Sequence, residues 1–519
     1  MNMRLLCSIG PIDNNPIFLN QESDQSIGQS YRLQTHRVLN GEAPSIDFET
    51  SQRLADIESQ IVVFIIIIDV GKLQNQPSIA KKQHLKVYAP SPAKKAILNS
   101  LPAAIDIIYL PPVSFDDLPK DSNPELKLSH IITHSLFSLQ TELNSLLIST
   151  NSTPLTAFFA DPFGVKALEV SRGLNIPTFV FFPTNVVVLS LLFHLPMLDK
   201  SFSSRFLRDL PDLIKLPGCA PLHGKDVLEP IQDRQTETYK SFLNTSKEFY
   251  LTNGIIINSF SGIESEAIKA LQANEGMPPI FPVGPIMQIG QTNTNGAEYC
   301  LSWLDKQPSR SVLYVSFGSG GTLSSDQMTE LAFGLEMSGQ KFIWVVRKPN
   351  NESANAAYLK DGQSQFEATD VLPKGFLERT KGQGLVMQSW APQTLVLSHG
   401  STGGFLCHCG WSSTLESMVE GVPLIAWPLF AEQKMNAVML VDGLEVALRP
   451  IEAENGIVGR DEIARVVKVV MDRSCEEGKK VRERMNEFKD AAAKALSHDG
   501  SSTRALSNLA FTLRSKASN

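Results

Sequence analysis

Residues 390–433 constrain this chain more than any other stretch, because they combine a tryptophan, a histidine and separated carboxylates within 44 positions. Trp390 offers a flat face for a base, and Gln393 follows it to hydrogen-bond the edge of the base or the ribose. His408 precedes a predicted helix, whose N-terminal N–H groups attract anions such as a diphosphate. This combination is typical of a nucleotide-sugar site.

Two acidic positions complete the pattern. Glu416 falls on the second turn of the helix predicted to begin at Trp411, where a carboxylate can accept from ribose hydroxyls. Glu432 and Gln433 follow a later strand and can bind sugar hydroxyls. Each residue has an ordinary alternative: a core tryptophan, a structural histidine or a solvated helix carboxylate. Their arrangement in one short stretch favours the binding interpretation.

The stretch resembles the signature box of plant family 1 UDP-glycosyltransferases, which begins with WAPQ and ends with D/E-Q. This chain has WAPQ at 390–393, HCGW at 408–411, GVP at 421–423 and EQKMNA at 432–437. One position departs from the family: Ser412 stands where an asparagine usually contacts the diphosphate. Serine keeps a donor but is shorter, so the resemblance implies a lower affinity for the donor substrate.

The resemblance implies an α/β fold of the GT-B type, with two facing Rossmann-like domains and a C-terminal helix that crosses back to the first. UDP-glucose would bind the second domain without a metal or other cofactor. The helix dipole, His408 and Ser319 would meet the charge of the leaving group. The residues implied to bind the UDP-sugar are Ser319, Trp390, Ala391, Gln393, His408, Gly410, Trp411, Ser412, Ser413, Glu416, Glu432 and Gln433.

The C-terminal half alternates short apolar runs with helical periods, as parallel βαβ sheets do. The glycine-rich turn at 318–321 has neither the lysine of a P-loop nor the spacing of a dinucleotide fingerprint, and Ser325 and Asp326 are predicted to cap the helix after it. Candidate binding residues follow strand ends, where open α/β sheets bind ligands. The predicted strands are 312–315, 342–346, 385–387, 404–407 and 424–426.

Asp161 is the candidate catalytic residue of the N-terminal half, where strands are predicted at 157–160, 178–182 and 254–258. A carboxylate directly after a buried strand is poorly solvated unless it has a partner, often a histidine. The catalytic aspartate of the family occupies this position, in a V-V-D-x-F-G context that is similar to F-A-D-P-F-G here. The alternative is an Asx turn before Pro162.

The histidine base of the family has no recognisable counterpart, because no Gly-x-Gly-His turn occurs in the sequence. Before residue 100 the histidines are His36, in polar sequence, and His84, which leads into a predicted second strand. Residues 61–69 can supply a first strand, but the loop 70–77 has Gly-Lys where the histidine turn belongs. Either residues 1–80 stem from a replaced first exon, or the protein has lost its base.

The length allows two domains, each with its own core. A net charge of −7 and the lack of a long basic run argue against a nucleic-acid partner. The apolar run Ile61–Ile68 is less than half of the ~20 residues that span a membrane, which argues against a membrane protein. We predict an atypical segment at 1–80, an acceptor-binding domain at 81–285, a linker at 286–298, a UDP-sugar-binding domain at 299–500 and a tail at 501–519.

Cysteine usage indicates the cytoplasm, since six irregularly spaced cysteines are typical of a reducing compartment. The run Cys407-His408-Cys409 is too tight for the usual zinc spacing, and no second pair follows it. A structural or catalytic metal is therefore not expected.

We expect a monomeric enzyme of plant secondary metabolism that transfers glucose from UDP-glucose to a small phenolic acceptor with inversion. Resemblance is closest to the hydroquinone glucosyltransferase branch, in residues 109–113, 194–196, 216–219 and 316–323. Two alternatives stay open. One is a sugar-nucleotide-binding protein with impaired catalysis, which would bind UDP-glucose without turnover. The other is a dinucleotide-dependent oxidoreductase, which would bind NADH but lacks the glycine fingerprint.

Overall fold

The computed structural model describes residues 63–68, 83–87, 105–119, 122, 124–148, 155–287, 297–354, 366–388 and 390–517. In these ranges two β-sheets are flanked by helices, and the strands at 155–160, 178–182, 312–316 and 402–407 are buried almost throughout. Parallel sheets covered by helices on both faces need such continuous apolar strands.

The first sheet has seven described strands in the order β3-β2-β1-β4-β5-β6-β7. The strands are β1 Val63–Ile68, β2 Gln83–Val87, β3 Ile105–Tyr109, β4 Leu155–Ala160, β5 Thr178–Phe182, β6 Gly254–Ile257 and β7 Ile280–Pro282. The accompanying helices are α1 Pro124–Ile148, α2 Ala167–Gly173, α3 Val186–Ser201, α4 Glu237–Phe249 and α5 Ser261–Gln272. Short 3₁₀ turns occur at Phe163–Lys166, Leu207–Asp209, Gly224–Asp226 and Glu229–Ile231.

The second sheet has six described strands in the order β10-β9-β8-β11-β12-β13, and all its pairings are parallel. The strands are β8 Val312–Ser316, β9 Lys341–Val346, β10 Gly384–Gln388, β11 Thr402–Cys407, β12 Leu424–Ala426 and β13 Ala447–Leu448. The helices are α6 Ala297–Leu304, α7 Ser325–Ser338, α8 Ala368–Val371, α9 Phe376–Arg379, α10 Gln393–Ser398, α11 Trp411–Glu420, α12 Gln433–Val438, α13 Arg460–Met471, α14 Glu476–Leu496 and α15 Ser501–Ala517. A π-helix, Met439–Gly443, follows α12.

Strand β1 runs against its neighbours in the first sheet. It pairs antiparallel with both β2 and β4, whereas the pairings of β4, β5, β6 and β7 with one another are parallel. Ile65 lies opposite Phe159, and Ile68 lies opposite Leu155, the first residue of β4. The chain therefore leaves β1 at the amino end of β4, whereas Asp161 follows the carboxyl end.

The antiparallel direction of β1 affects where a histidine base could lie. The strand expected within 61–69 is confirmed, but Ile68, from which the loop 70–77 continues, lies at the sheet edge away from Asp161. The loop itself and His36 lie outside the described residues. His84 lies in β2, opposite Ile66 of β1. A histidine turn directly after β1 would therefore start from the wrong end of β4.

One local prediction differs from the structure. The cap of α7 is Ser324, whose hydroxyl accepts from the Gln327 N–H at 3.2 Å, and not the expected pair one and two residues later. The proline-rich segment 277–285 contributes the edge strand β7. Proline is tolerated there because an edge strand leaves backbone positions unpaired.

The C-terminal helices return to the first sheet. Helix α14 packs against α5, and α15 packs against β7 and β4. The Ser502 hydroxyl donates to the carbonyl oxygen of Gly284 at 2.5 Å. The crossing helix is therefore present, and most of the expected tail at 501–519 is a second helix with buried Leu509 and Leu513. No helix in the described ranges is long and apolar enough to cross a membrane.

Candidate active site

The carboxyl edges of the two sheets face each other. Asn185 follows β5 of the first sheet, and its side-chain Nδ2 donates to Oδ1 of Asn436 in α12 at 2.6 Å. Asp161 follows the neighbouring strand β4, since Ala160 pairs with Val180 of β5. Asp161 and the candidate donor residues therefore lie at the carboxyl edges of the two sheets, where α/β sheets bind ligands.

Two glycines enclose the buried ring of His408. A Cβ atom on Gly410 would lie 2.4 Å from Nε2 of His408, and one on Gly318 would also lie 2.4 Å from that atom. Real Cβ contacts essentially never fall below 3.0 Å. Gly318 has in addition a φ of +72°, which side chains other than glycine rarely adopt. The ring therefore keeps its position only while both neighbours lack a side chain.

His408 is uncharged at neutral pH. Burial, followed by the positive charge of Arg347, lowers the pKa of His408 to about 4, although a hydrogen bond to the Ser316 backbone raises it. The neutral imidazole has a single N–H, which the bond to Ser316 uses, so donation to a diphosphate as well requires a proton on the second ring nitrogen. Arg347 supplies a fixed positive charge nearby. Sequence analysis missed Arg347. Arg347 directly follows the predicted strand 342–346, and ligands bind at the carboxyl ends of such strands, so its position in the sequence marks it as a candidate.

Glu416 is held by two neighbours inside the protein. The Nε2 of Gln393 donates to the Glu416 carboxylate at 2.8 Å and to the Ser413 hydroxyl at 2.9 Å. Glu416 is only 8% exposed, so it does not lie on a solvated helix face. Both N–H bonds of the Gln393 amide are thus used, and its predicted contact with a base or ribose can come only from Oε1.

The two tryptophans have different surroundings. Trp390 is partly exposed after β10, as a stacking surface requires. Trp411 is buried, and its Nε1 donates to the carbonyl oxygen of Asn258 in the first domain at 2.6 Å. Gly410 precedes α11 without a side-chain cap, and Ser412 is exposed on its first turn. The helix start is therefore available for an anion.

The oxygen of the Gln433 side-chain amide is hydrogen-bonded within the protein. Its Oε1 accepts from the backbone N–H groups of Leu429 at 2.9 Å and Phe430 at 3.1 Å. A ligand can therefore use Nε2 as a donor. Burial raises the pKa of the preceding carboxyl group, Glu432, against the lowering effect of hydrogen bonds from its own backbone N–H and from Asn436.

The remaining candidates lie as follows. Ser319 is exposed next to Gly318, which contacts His408, while Ala391 is buried beside Trp390. The contacts of all these residues with a donor stay a prediction. Asp161 is partly buried, and its Oδ1 accepts from the Gly164 N–H at 2.7 Å. This bond reaches the third residue along the chain, whereas the Asx turn considered as the alternative bonds the second, and it leaves a role in catalysis open.

Comparisons with known proteins agree with this geometry. A sequence model of the family described as UDP-glucoronosyl and UDP-glucosyl transferase matches residues 272–476. The hydroquinone glucosyltransferase of Rauvolfia serpentina is 52% identical over 427 residues, which cover 82% of this chain and 89% of that protein. UDP-glycosyltransferase 72B1 of Arabidopsis thaliana is 48% identical over 426 residues, covering 81% and 87%.

A solved structure extends the likeness to the fold. Phytolacca americana UGT2, complexed with UDP-2fluoro-glucose and pterostilbene, is 48% identical and has a TM-score of 0.75, covering 82% of this chain and 90% of that one. The two facing sheets and the returning C-terminal helices are thus those of the GT-B fold. This chain belongs to the UDP-glucoronosyl and UDP-glucosyl transferase family.

Proposed function

We propose that this protein transfers glucose from UDP-glucose to the hydroxyl of a small phenolic acceptor, with inversion at the anomeric carbon. The observation that carries the proposal is the placement of Asp161 at the carboxyl edge of one sheet and of the candidate donor residues at the carboxyl edge of the other, with the two edges joined by the Asn185–Asn436 hydrogen bond. The names of the relatives support it, since one is a hydroquinone glucosyltransferase and another was solved with pterostilbene.

The donor is oriented by groups along the second sheet. The base stacks on Trp390, the ribose hydroxyls donate to Glu416, and the diphosphate lies between His408, Ser319 and the start of α11. Glu432 and Gln433 bind the sugar hydroxyls. The phenol oxygen attacks the anomeric carbon, the bond to the UDP oxygen breaks on the opposite face, and the phenol proton passes to a base or to water. The helix dipole and the Arg347 charge offset the charge of the departing UDP.

A second candidate function is a sugar-nucleotide-binding protein with impaired catalysis. The antiparallel direction of β1 favours it, because the chain leaves that strand at the edge away from Asp161. A phenol has a pKa near 10, so loss of a general base slows the transfer without abolishing it. We also propose a monomer in the cytoplasm. The thiols of Cys219, Cys300 and Cys407 are free, as in a reducing compartment.

The two candidates are separated by measuring donor binding and product formation together. Wild-type protein is titrated with UDP-glucose in a calorimeter and then incubated with UDP-glucose and hydroquinone. Binding together with a β-glucoside product supports transfer, and binding without product supports the second candidate. Absence of UDP-glucose binding contradicts both.

Ser412→Asn is expected to tighten UDP-glucose by roughly 1 kcal/mol, the net value of one neutral hydrogen bond. Ser412 is exposed on the first turn of α11, where the longer asparagine reaches further toward a diphosphate. Calorimetric titration of both proteins at one salt concentration measures the change. Equal or weaker binding by the variant would show that position 412 makes no diphosphate contact.

Gln433→Glu is expected to weaken UDP-glucose while leaving UDP affinity unchanged. Glutamate keeps the acceptor oxygen that holds the N–H groups of Leu429 and Phe430, and it replaces the Nε2 donor with a carboxylate oxygen, which also adds charge beside Glu432. The loss should be about 1 kcal/mol for one hydrogen bond. Gln433→Ala, which also releases the two backbone groups, serves as the comparison. An equal loss for UDP and UDP-glucose would contradict a contact with the sugar.

A further inference from the structure

The N-terminus of α3 is fully held by side chains of its own domain. Asn185 caps it, with Oδ1 accepting from the Val188 N–H at 3.0 Å. The buried carboxylate of Glu264 accepts from the N–H groups of Val186 at 2.9 Å and Val187 at 3.1 Å. The helix start is therefore rigid and has no free donor for an anion. The Nδ2 of Asn185 does not bond the start of α3 and donates instead to Asn436.

Asn436 connects Asn185 to the candidate donor site through two hydrogen bonds. Its Oδ1 accepts from Asn185 at 2.6 Å, and its Nδ2 donates to the carbonyl oxygen of Cys409 at 2.8 Å. Cys409 lies between His408 and Gly410 and has a φ of +63°, an uncommon conformation that needs support from its surroundings. Both asparagines are 0% exposed. Water therefore cannot replace either hydrogen bond without rearrangement.

Asn436 also belongs to the helix that presents the sugar-binding candidates. Its backbone N–H donates to the carbonyl oxygen of Glu432 at 3.0 Å. A second hydrogen bond between the domains reaches the residue before Glu432. The Glu229 N–H donates to the carbonyl oxygen of Ala431 at 3.0 Å. One amide side chain thus joins the acceptor domain, the diphosphate turn and the start of α12.

We propose that Asn185 and Asn436 form a relay that positions the donor site from the acceptor domain. The relay fixes the Cys409 carbonyl, and with it the placement of His408 and Gly410 against the diphosphate. It rests on the proposed function, because it takes the site at His408 to hold UDP-glucose. Asn185 and Asn436 are positioning residues, since neither is placed in contact with the substrate.

Asn185→Ser tests the relay from the acceptor side. Serine is a good N-cap, so it keeps the bond to the Val188 N–H, but it is too short to reach Asn436. Losing the relay bond leaves a buried amide unpaired, so UDP-glucose affinity should fall about fivefold or more. Asn436→Ala should cause at least the same loss, and the double variant should lose no more than Asn436→Ala alone, because both act through one contact.

Asn253→Ser is the matched control. Asn253 lies in the same domain, and its Oδ1 accepts from the Thr178 N–H at 2.8 Å, at the amino end of β5 and away from the cleft. This variant should retain the wild-type affinity even where its melting temperature falls. If Asn436→Ala does not fold, Asn436→Asp replaces it, because aspartate keeps the acceptor for Asn185 and loses the donor to Cys409; like alanine, it also loses the hydrogen bond to Glu432.

The measurements are calorimetric dissociation constants for UDP-glucose and thermal unfolding of each variant. A lower melting temperature with wild-type affinity in Asn185→Ser would overturn the relay and leave the contact purely structural. A double variant with the summed losses of the single variants would also overturn it. Failure of the wild-type protein to bind UDP-glucose would instead refute the proposed function.

Discussion

Gly410→Ala is expected to weaken UDP-glucose about as much as removal of the His408 ring does. The new methyl group would lie 2.4 Å from Nε2 of His408, so the ring has to move. The φ of Gly410 is −63°, which alanine adopts without strain, so the backbone is not the cause of the effect. A hydrogen bond to a charged group contributes about 1.5–3 kcal/mol, which corresponds to roughly 10- to 150-fold in the dissociation constant.

Gly400→Ala is the control for this prediction, because a Cβ at that position meets no atom within 4 Å. Calorimetric titration of wild type, Gly410→Ala, Gly400→Ala and His408→Ala with UDP separates the effects. We expect Gly400→Ala to bind normally and the other two variants to lose affinity together. Normal binding by Gly410→Ala with weak binding by His408→Ala would mean that the ring has room to adapt.

Replacing residues 1–80 with a first strand and histidine turn of the family type is expected to raise the rate of glucosylation by ~10²–10⁴, the usual contribution of a general base. The sequence contains no Gly-x-Gly-His turn, and β1 ends opposite Leu155, at the sheet edge away from Asp161. Asp161→Ala should therefore cost little in the natural chain. In the chimaera the same substitution should cost about tenfold or more, as expected for the partner of a base.

Glucosylation of hydroquinone by the four proteins, natural chain and chimaera with and without Asp161→Ala, decides this prediction. Equal effects of the substitution in both backgrounds would assign Asp161 the turn to Gly164 alone. Rapid turnover by the natural chain, lost when His36 or His84 is replaced, would identify one of these histidines as the base and would contradict the prediction.

The strands were largely predictable, because they follow from local patterns. The predicted strand 424–426 agrees with β12, and the predicted strand 178–182 agrees with β5. The direction of β1 was not predictable. The apolar run Ile61–Ile68 specifies a strand, but the same run pairs in either direction, and the neighbours in the sheet decide which one forms. The apolar pattern of residues 61–68 carries no information about which strands lie beside it.

The other contacts that the sequence did not predict join residues that are distant along the chain. The Nε2 of Gln393 donates to residues 20 and 23 positions later, which leaves only Oε1 for the predicted contact with the ligand. Asn436 looked like an ordinary part of the EQKMNA run, and its partner Asn185 lies 251 residues earlier. Such hydrogen bonds depend on how two domains meet. The arrangement of residue types along one domain does not reveal them.

The packing of α15 on β4 and β7 also affects the order in which the chain folds during synthesis. The ribosome completes the first domain long before it reaches residues 501–517, yet this helix, with buried Leu509 and Leu513, packs against the first sheet. The nascent first domain therefore lacks the packing of α15 on β4, the strand that precedes Asp161, until the second domain has been made. Its final stability is acquired only after the second domain exists.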